Sequence, residues 1–289
     1  MRYVICNAAR PNEISMSAQK LREAGMATTY SNKQNLSYST ETSNLQINQV
    51  DSDQALAWIE AGWNDFLNSP GHSLLYGLLF SLCCIATIYL TQQFPGFVLS
   101  FLTGLMLIGP LLAVGAYTAA WQLKHGYSVS IREGIAMIRS RATNLGIFTA
   151  VMLVVLMAWI RLSSLLFAIQ FQLLEPSWSA FGQKLLSSTE GWLILGFFIV
   201  AGFFLAAAVF ILSATSIPMI IDRNTSAVDA VQASYHAVMA NKKAMSFWAF
   251  MIVVLCGIGI TTGFVLMTVI FPVLGYATWH SYQDLLKQV

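Results

Sequence analysis

Residues 96–121 read GFVLSFLTGLMLIGPLLAVGAYTAAW, with no charged residue and no histidine among them. A bilayer's hydrocarbon core takes about 20 consecutive apolar residues of helix to cross, and this stretch supplies them. Lipid offers no partner to an unpaired backbone N–H or C=O, so a single such span must be helical. The zone free of Asp, Glu, Lys and Arg reaches back through the whole interval between His72 and Lys124, long enough for two crossings. The chain therefore reads as an all-α, polytopic bundle of transmembrane helices.

Composition agrees. The 289 residues are 56% hydrophobic and 10% charged, against about 25% charged residues in soluble domains, and the mean hydropathy is +0.64. The net charge of +2 is small and its basic residues lie in loops, which argues against nucleic acid as a partner. Cys6, Cys83, Cys84 and Cys256 have no metal-site or disulfide spacing and read as small apolar filler.

Outward from the quoted stretch, residues 1–53 are rich in Ser, Thr, Asn and Gln and lack an apolar period. They read as a disordered cytoplasmic tail without a leader peptide, followed by an integral membrane domain over 54–289. In ALAWIEAGWNDFLN (55–68), Leu56, Ile59, Trp63, Phe66 and Leu67 recur at helical spacing, and Trp58 and Trp63 suit a membrane interface. A short amphipathic helix lying on the membrane is expected there, either as a plain anchor or as a docking element. Five long apolar segments follow, at about 73–93, 96–121, 142–171, 191–221 and 244–271. Pro272 and Gly275 are expected to end the last one, leaving 272–289 at the interface with Tyr276, Trp279 and Tyr282. Five spans are the first reading, with six as the alternative. The loops 124–141 and 222–243 each read as a short surface helix, the first capped by Ser130 with an Ile131, Ile135, Ile138 stripe, the second with Val228, Val231, Tyr235 and Val238 on one face. Each then leads through an Asn, Asn144 or Asn241, into a span, a faint internal echo of the kind seen in transporters built from repeats.

Lys and Arg concentrate before the first segment and after the second and fourth, while the turn after the first has none. The positive-inside rule then puts the N-terminus and both long loops in the cytoplasm. With five spans the C-terminus lies outside, and with six it returns.

Few residues offer chemistry. Gly109-Pro110 falls inside the second segment, where proline removes a backbone hydrogen bond and meets the Met106 carbonyl. Together with Pro218 near the end of the fourth, it is a candidate hinge or packing feature. Arg161 is the one charge within a long apolar run; such a residue is either functional or snorkelling at the far interface. Asp222, Arg223 and His280 are the remaining polar candidates. His72, His125, His236 and His280 all fall at or beyond segment ends, which disfavours a haem or proton-relay site. No nucleophile–base pair, phosphate loop or dinucleotide fingerprint is present.

Trp58, Gly62-Trp63-x-Asp65-Phe66, Pro70-x-x-Ser73-Leu74-x-x-Gly77, Gly109-Pro110, Ser216-Ile217-Pro218-Met219 with Asp222-Arg223, and Gly275-Tyr276-Ala277-Thr278-Trp279-His280 with Tyr282 and Asp284 form a set. As a set they resemble the domain-of-unknown-function 2189 family of bacterial integral membrane proteins, over about Ala55 to the C-terminus. The resemblance implies a multi-pass protein of a Gram-negative inner membrane and supplies no activity and no catalytic residue. Members of that family often carry His where Tyr276 stands and Arg where Gln283 stands; the first departure removes a His pair with His280 and with it support for a metal there.

The sequence thus points away from an enzyme and names no cofactor. The leading expectation is a structural or accessory protein in contact with the lipid bilayer that binds another membrane protein or a second copy of itself. A small-molecule or lipid transporter is the alternative, and a metal or haem redox protein the third.

Overall fold

A computed structural model describes residues 45–93, 95–171 and 178–288. Of the expected tail over 1–53, residues 1–44 lie outside the described residues, as do residues 172–177, whereas 45–53 hold the short strand Leu45–Ile47 and the bonded backbone of Asn48 and Val50. Contacts divide the chain into two units, and the one from Ile47 to Lys287 holds every described helix.

In chain order these are α1 (Gln54–Asn68), α2 (Pro70–Thr91), α3 (Pro95–Leu107), α4 (Gly109–Leu112), α5 (Val114–Lys124), α6 (Ile131–Ser140), α7 (Ala142–Phe171), α8 (Trp178–Ser187), α9 (Thr189–Ser213), α10 (Ser216–Arg223), α11 (Ala227–Ala240), α12 (Lys242–Thr261) and α13 (Met267–Leu285). Four stretches, Pro70–Thr91, Ala142–Phe167, Thr189–Arg223 and Lys242–Thr261, are long and apolar enough to cross a membrane, and Gly96–Leu107 is a shorter apolar helix. The outer faces fit that setting: Leu193, Phe203 and Phe204 of α9 are 70%, 66% and 67% exposed. In lipid such side chains cost nothing, because acyl tails are as apolar as they are.

The fifth apolar segment does not break where the sequence suggests. It turns at Thr262–Leu266, where Gly263 and Phe264 have φ of 62° and 69°, and α13 then runs unbroken through Pro272 and Gly275. Proline in the sixth position of α13 has no N–H to give the Thr268 carbonyl. That carbonyl meets Gly77 of α2 so closely that a Cβ on Gly77 would overlap it. Nor do the aromatics of the C-terminal end face outward: Tyr276, Trp279 and Tyr282 are buried, because α13 lies between α1, α2, α5 and α12.

α13 returns antiparallel along α2. Ser81 Oγ donates to the Phe264 carbonyl at 3.0 Å, Phe80 stacks on Phe271 at 3.9 Å, and Ser73 Oγ lies 2.8 Å from the Tyr276 hydroxyl. The path ends where the unit began, with Asn48 N donating to the Leu285 carbonyl at 3.0 Å. Five crossings would leave those two residues on opposite sides of a membrane; an even number, as in the six-span alternative, brings them together.

Two legs are interrupted. The second is three pieces, α3, the single turn α4 beginning at Gly109-Pro110, and α5. The fourth breaks between α9 and α10, where Thr215 N donates to Ser234 Oγ at 3.3 Å and that hydroxyl donates to the Ile211 carbonyl at 2.8 Å. Ser234 of α11 thus stands inside the hydrogen bond that a continuous helix would close between Thr215 and Ile211, and a group inserted there bends a helix.

The surface helices bury the expected apolar faces only in part: Phe66 and Val238 turn inward, but most of the large residues on those faces do not. α1 buries Ala55, Trp58, Gly62 and Phe66 and exposes Leu56, Trp63 and Leu67. Trp58 is therefore a core residue. α11 buries Ala227, Ala230, Ser234, Ala237 and Val238 and exposes Val228 and Tyr235. Ser130 caps α6 through Glu133 N and Ser226 caps α11 through Asp229 N, yet Ile131 and Ile135 of α6 also point outward. In each helix a small residue allows the close approach, as between membrane helices generally.

Candidate functional site

The last two turns of α13 carry Trp279, His280, Tyr282, Gln283 and Asp284. At 3.6 residues per turn these radiate in different directions, and the packing gives each its own partner. His280 Nε2 donates to Asp65 Oδ2 of α1 at 2.8 Å. Asp284 Oδ2 accepts from Trp58 Nε1 at 2.8 Å and from Gln54 Nε2 at 3.0 Å, while its carbonyl accepts from Asn48 Nδ2 at 3.0 Å. With its amide turned to satisfy both neighbours, Gln283 Oε1 accepts from Lys124 Nζ of α5 at 3.0 Å and from Trp279 Nε1 at 2.6 Å. Tyr282 donates to Asp222 Oδ2 of α10 at 2.9 Å. One helix end therefore ties together three elements that are far apart in sequence.

Burial of these groups sets their electrostatics. The Tyr282 phenol is pushed up from its ordinary value by burial and by the charge of Asp222, against a smaller opposing effect of Arg223. Arg223 lies 5.5 Å from the Tyr282 ring centroid and donates from Nη2 to the Leu286 carbonyl at 2.7 Å. Arg141, the residue capping α6, is pulled down by burial, and the charge of Asp222 offsets part of this. Asn241 makes a second tie, accepting from Val50 N at 2.8 Å and donating to the Asn48 carbonyl at 2.9 Å.

Of the residues singled out from sequence, the structure brings Asp222, Arg223 and His280 to this end of the bundle. Pro218 is buried in the third position of α10, one turn before Asp222. Gly109 and Pro110 are half-buried in α4, and a Cβ on Gly109 would meet nothing within 4 Å. Arg161 sits exposed on α7, away from this network. Sequence reasoning did not assemble Trp58, Asp65 and Asp284 into a site, although all three stood in the motifs quoted above. Arg141 ends the 124–141 loop and was not singled out there. Among the described residues no group of three or more His, Cys, Asp and Glu is placed to hold a metal ion. The chemistry on offer is charge-assisted hydrogen bonding between elements.

In comparison with known proteins, residues 97–222 match a family described as predicted integral membrane protein, domain of unknown function 2189. The matched stretch holds Gly109, Pro110, Pro218, Arg161 and Asp222, and stops before Arg223 and the α13 hub. No curated protein and no solved structure matches the chain.

Proposed function

We propose that the chain is a non-enzymatic accessory protein of a bacterial inner membrane, its N-terminus cytoplasmic, that binds another membrane protein through the surface helices at the α13 end. The observation carrying this reading is the pairing of polarity within that end: the side chains of His280, Tyr282, Gln283 and Asp284 are all engaged by α1, α5 and α10. A hub closed on itself rigidifies a platform. The same end turns large apolar side chains outward on three helices, Trp63 on α1, Ile135 on α6 and Val228 on α11, which are 44%, 46% and 63% exposed.

Photo-crosslinking tests this. A photoreactive residue at Ile135 or Val228, in the native membrane, is expected to give one discrete protein adduct, while the same probe at lipid-facing Phe203 gives none. Probes at Ile135 and Val228 that label only lipid would end the partner reading. The broken second and fourth legs favour a second reading, a transporter of a small molecule or lipid, since discontinuous helices line such sites. Pro110→Ala that leaves insertion intact but abolishes uptake of a solute would move the conclusion there.

A further inference from the structure

Arg141 immediately precedes α7 and Arg223 ends α10, which packs against α7; Asp222, beside Arg223 in the chain, also acts on Arg141 through space. That acid's Oδ2 is already engaged by the Tyr282 hydroxyl. Two guanidinium nitrogens, Arg141 Nε and Arg223 Nη1, are sealed from solvent with no hydrogen-bond partner. One further nitrogen of each is placed: Arg141 Nη1 donates to Ser140 Oγ at 2.8 Å and Arg223 Nη2 to the Leu286 carbonyl. A buried donor on a charged group is expensive to leave unmade.

We propose that the corner formed by Arg141 and Arg223 binds the phosphate of an anionic phospholipid headgroup. Guanidinium donors match phosphate oxygens in geometry and charge. Arg141 is the residue immediately before α7 and Arg223 ends the Thr189–Arg223 span, so both stand where apolar legs give way to polar loop, the depth of a headgroup. Arg132 and Arg139 of α6 are exposed nearby in sequence and add attraction for an anionic surface. Basic pockets between membrane helices are used in this way to hold lipid headgroups. A free phosphate ester would offer the same oxygens, so the test separates the two sources. Lipid binding at this corner is independent of the partner reading, because its measurement needs no partner.

The full chain is purified in mild detergent and offered phosphatidylglycerol, phosphatidylcholine or inorganic phosphate, with native mass spectrometry for retained lipid and thermal unfolding for stabilisation. Phosphatidylglycerol is expected to be retained and to raise the unfolding temperature; phosphatidylcholine and inorganic phosphate are not. Arg141→Gln and Arg223→Gln should each weaken retention about tenfold or more, the loss of one hydrogen bond to a charged group, while Arg132→Gln should leave it within a few-fold. Equal retention of both lipids by the unaltered protein overturns the proposal and leaves Asp222 to compensate both arginines. Stabilisation by inorganic phosphate equal to that by phosphatidylglycerol overturns the lipid assignment. A phosphatidylglycerol preference that survives both arginine substitutions overturns the location. Should either variant fail to fold, Arg141→Lys and Arg223→Lys, which keep the charge and lose the planar fork of donors, take over the location test with the same expected loss of phosphatidylglycerol retention.

Discussion

Gly77→Ala is the sharpest probe of how α13 is held. A Cβ on Gly77 would overlap the carbonyl carbon and oxygen of Thr268, and its next neighbour is the Thr268 Cα at 2.8 Å. These are backbone atoms, so no rotamer change relieves the overlap and α2 must move away from α13. Overpacking against side chains costs about 1–3 kcal/mol; with a backbone wall the cost belongs at the top of that range or above. Alanine's better helix propensity returns no more than about 1 kcal/mol. A net loss of about 2–3 kcal/mol corresponds to a fall of roughly 4–12 °C in unfolding temperature for a domain of this size. The control is Gly196→Ala on α9, whose Cβ would meet nothing within 4 Å. Fluorescence-detected size exclusion after a heating series reads both. The control should match or exceed the unaltered protein. If Gly77→Ala melts with the control, α2 and α13 are not in backbone contact and this packing is wrong.

Three further outcomes follow from the same packing. Asp284→Asn removes the charge that Trp58 and Gln54 donate to, and should cost about 1.5–3 kcal/mol, read as a lowered unfolding temperature with the oligomeric profile unchanged. Ser234→Ala leaves Thr215 N and the Ile211 carbonyl facing each other across a gap too wide to close; a loss of about 1–3 kcal/mol is expected, and Ser234→Thr, which keeps the hydroxyl, should recover part of it. Tyr282 has its phenol pushed up on folding, so the folded state holds its proton where the unfolded chain releases it. Its contribution is full below about pH 10, the ordinary tyrosine value, and declines as pH rises above that. Tyr282→Phe should therefore flatten the alkaline fall in stability, and an unchanged profile between about pH 9 and pH 11 would contradict the assignment.

The membrane class and the apolar segments were legible because they depend on summed transfer energy, which 96–121 displays without interruption. The orientation of the surface helices was not. A large apolar face in a soluble protein points to the core, but in a membrane protein Leu56, Val228 and Ile135 can be turned outward, toward lipid or a partner. What decides the packing is the opposite stripe, Ala55 and Gly62 on α1 or Ala227, Ala230, Ser234 and Ala237 on α11, where backbones can approach. Those stripes were present to be read. The end of the chain failed differently: Tyr276, Trp279 and Tyr282 look like interfacial aromatics, and only the return of α13 between α1 and α2 shows that their polar tips are answered from inside. Pro272 misled for the same reason, since the carbonyl it frees is met by Gly77, which lies far away in sequence. The hub residues were visible as a motif, but their pairing across more than two hundred positions, as in Asp65 with His280, has no local signal.

The whole architecture depends on α13 returning to the side from which α1 starts. Gln49 and Lys287 are both exposed and flank the bonded pair Asn48–Leu285. Spin labels at these two positions, in a background with the four native cysteines replaced, give a distance by pulsed electron resonance in reconstituted bilayers. A returning α13 predicts a single short distance, below about 25 Å even with both label arms extended from neighbouring strands of chain. A distribution centred beyond roughly 30 Å, the thickness of the hydrocarbon core, would put the two ends on opposite sides and contradict it.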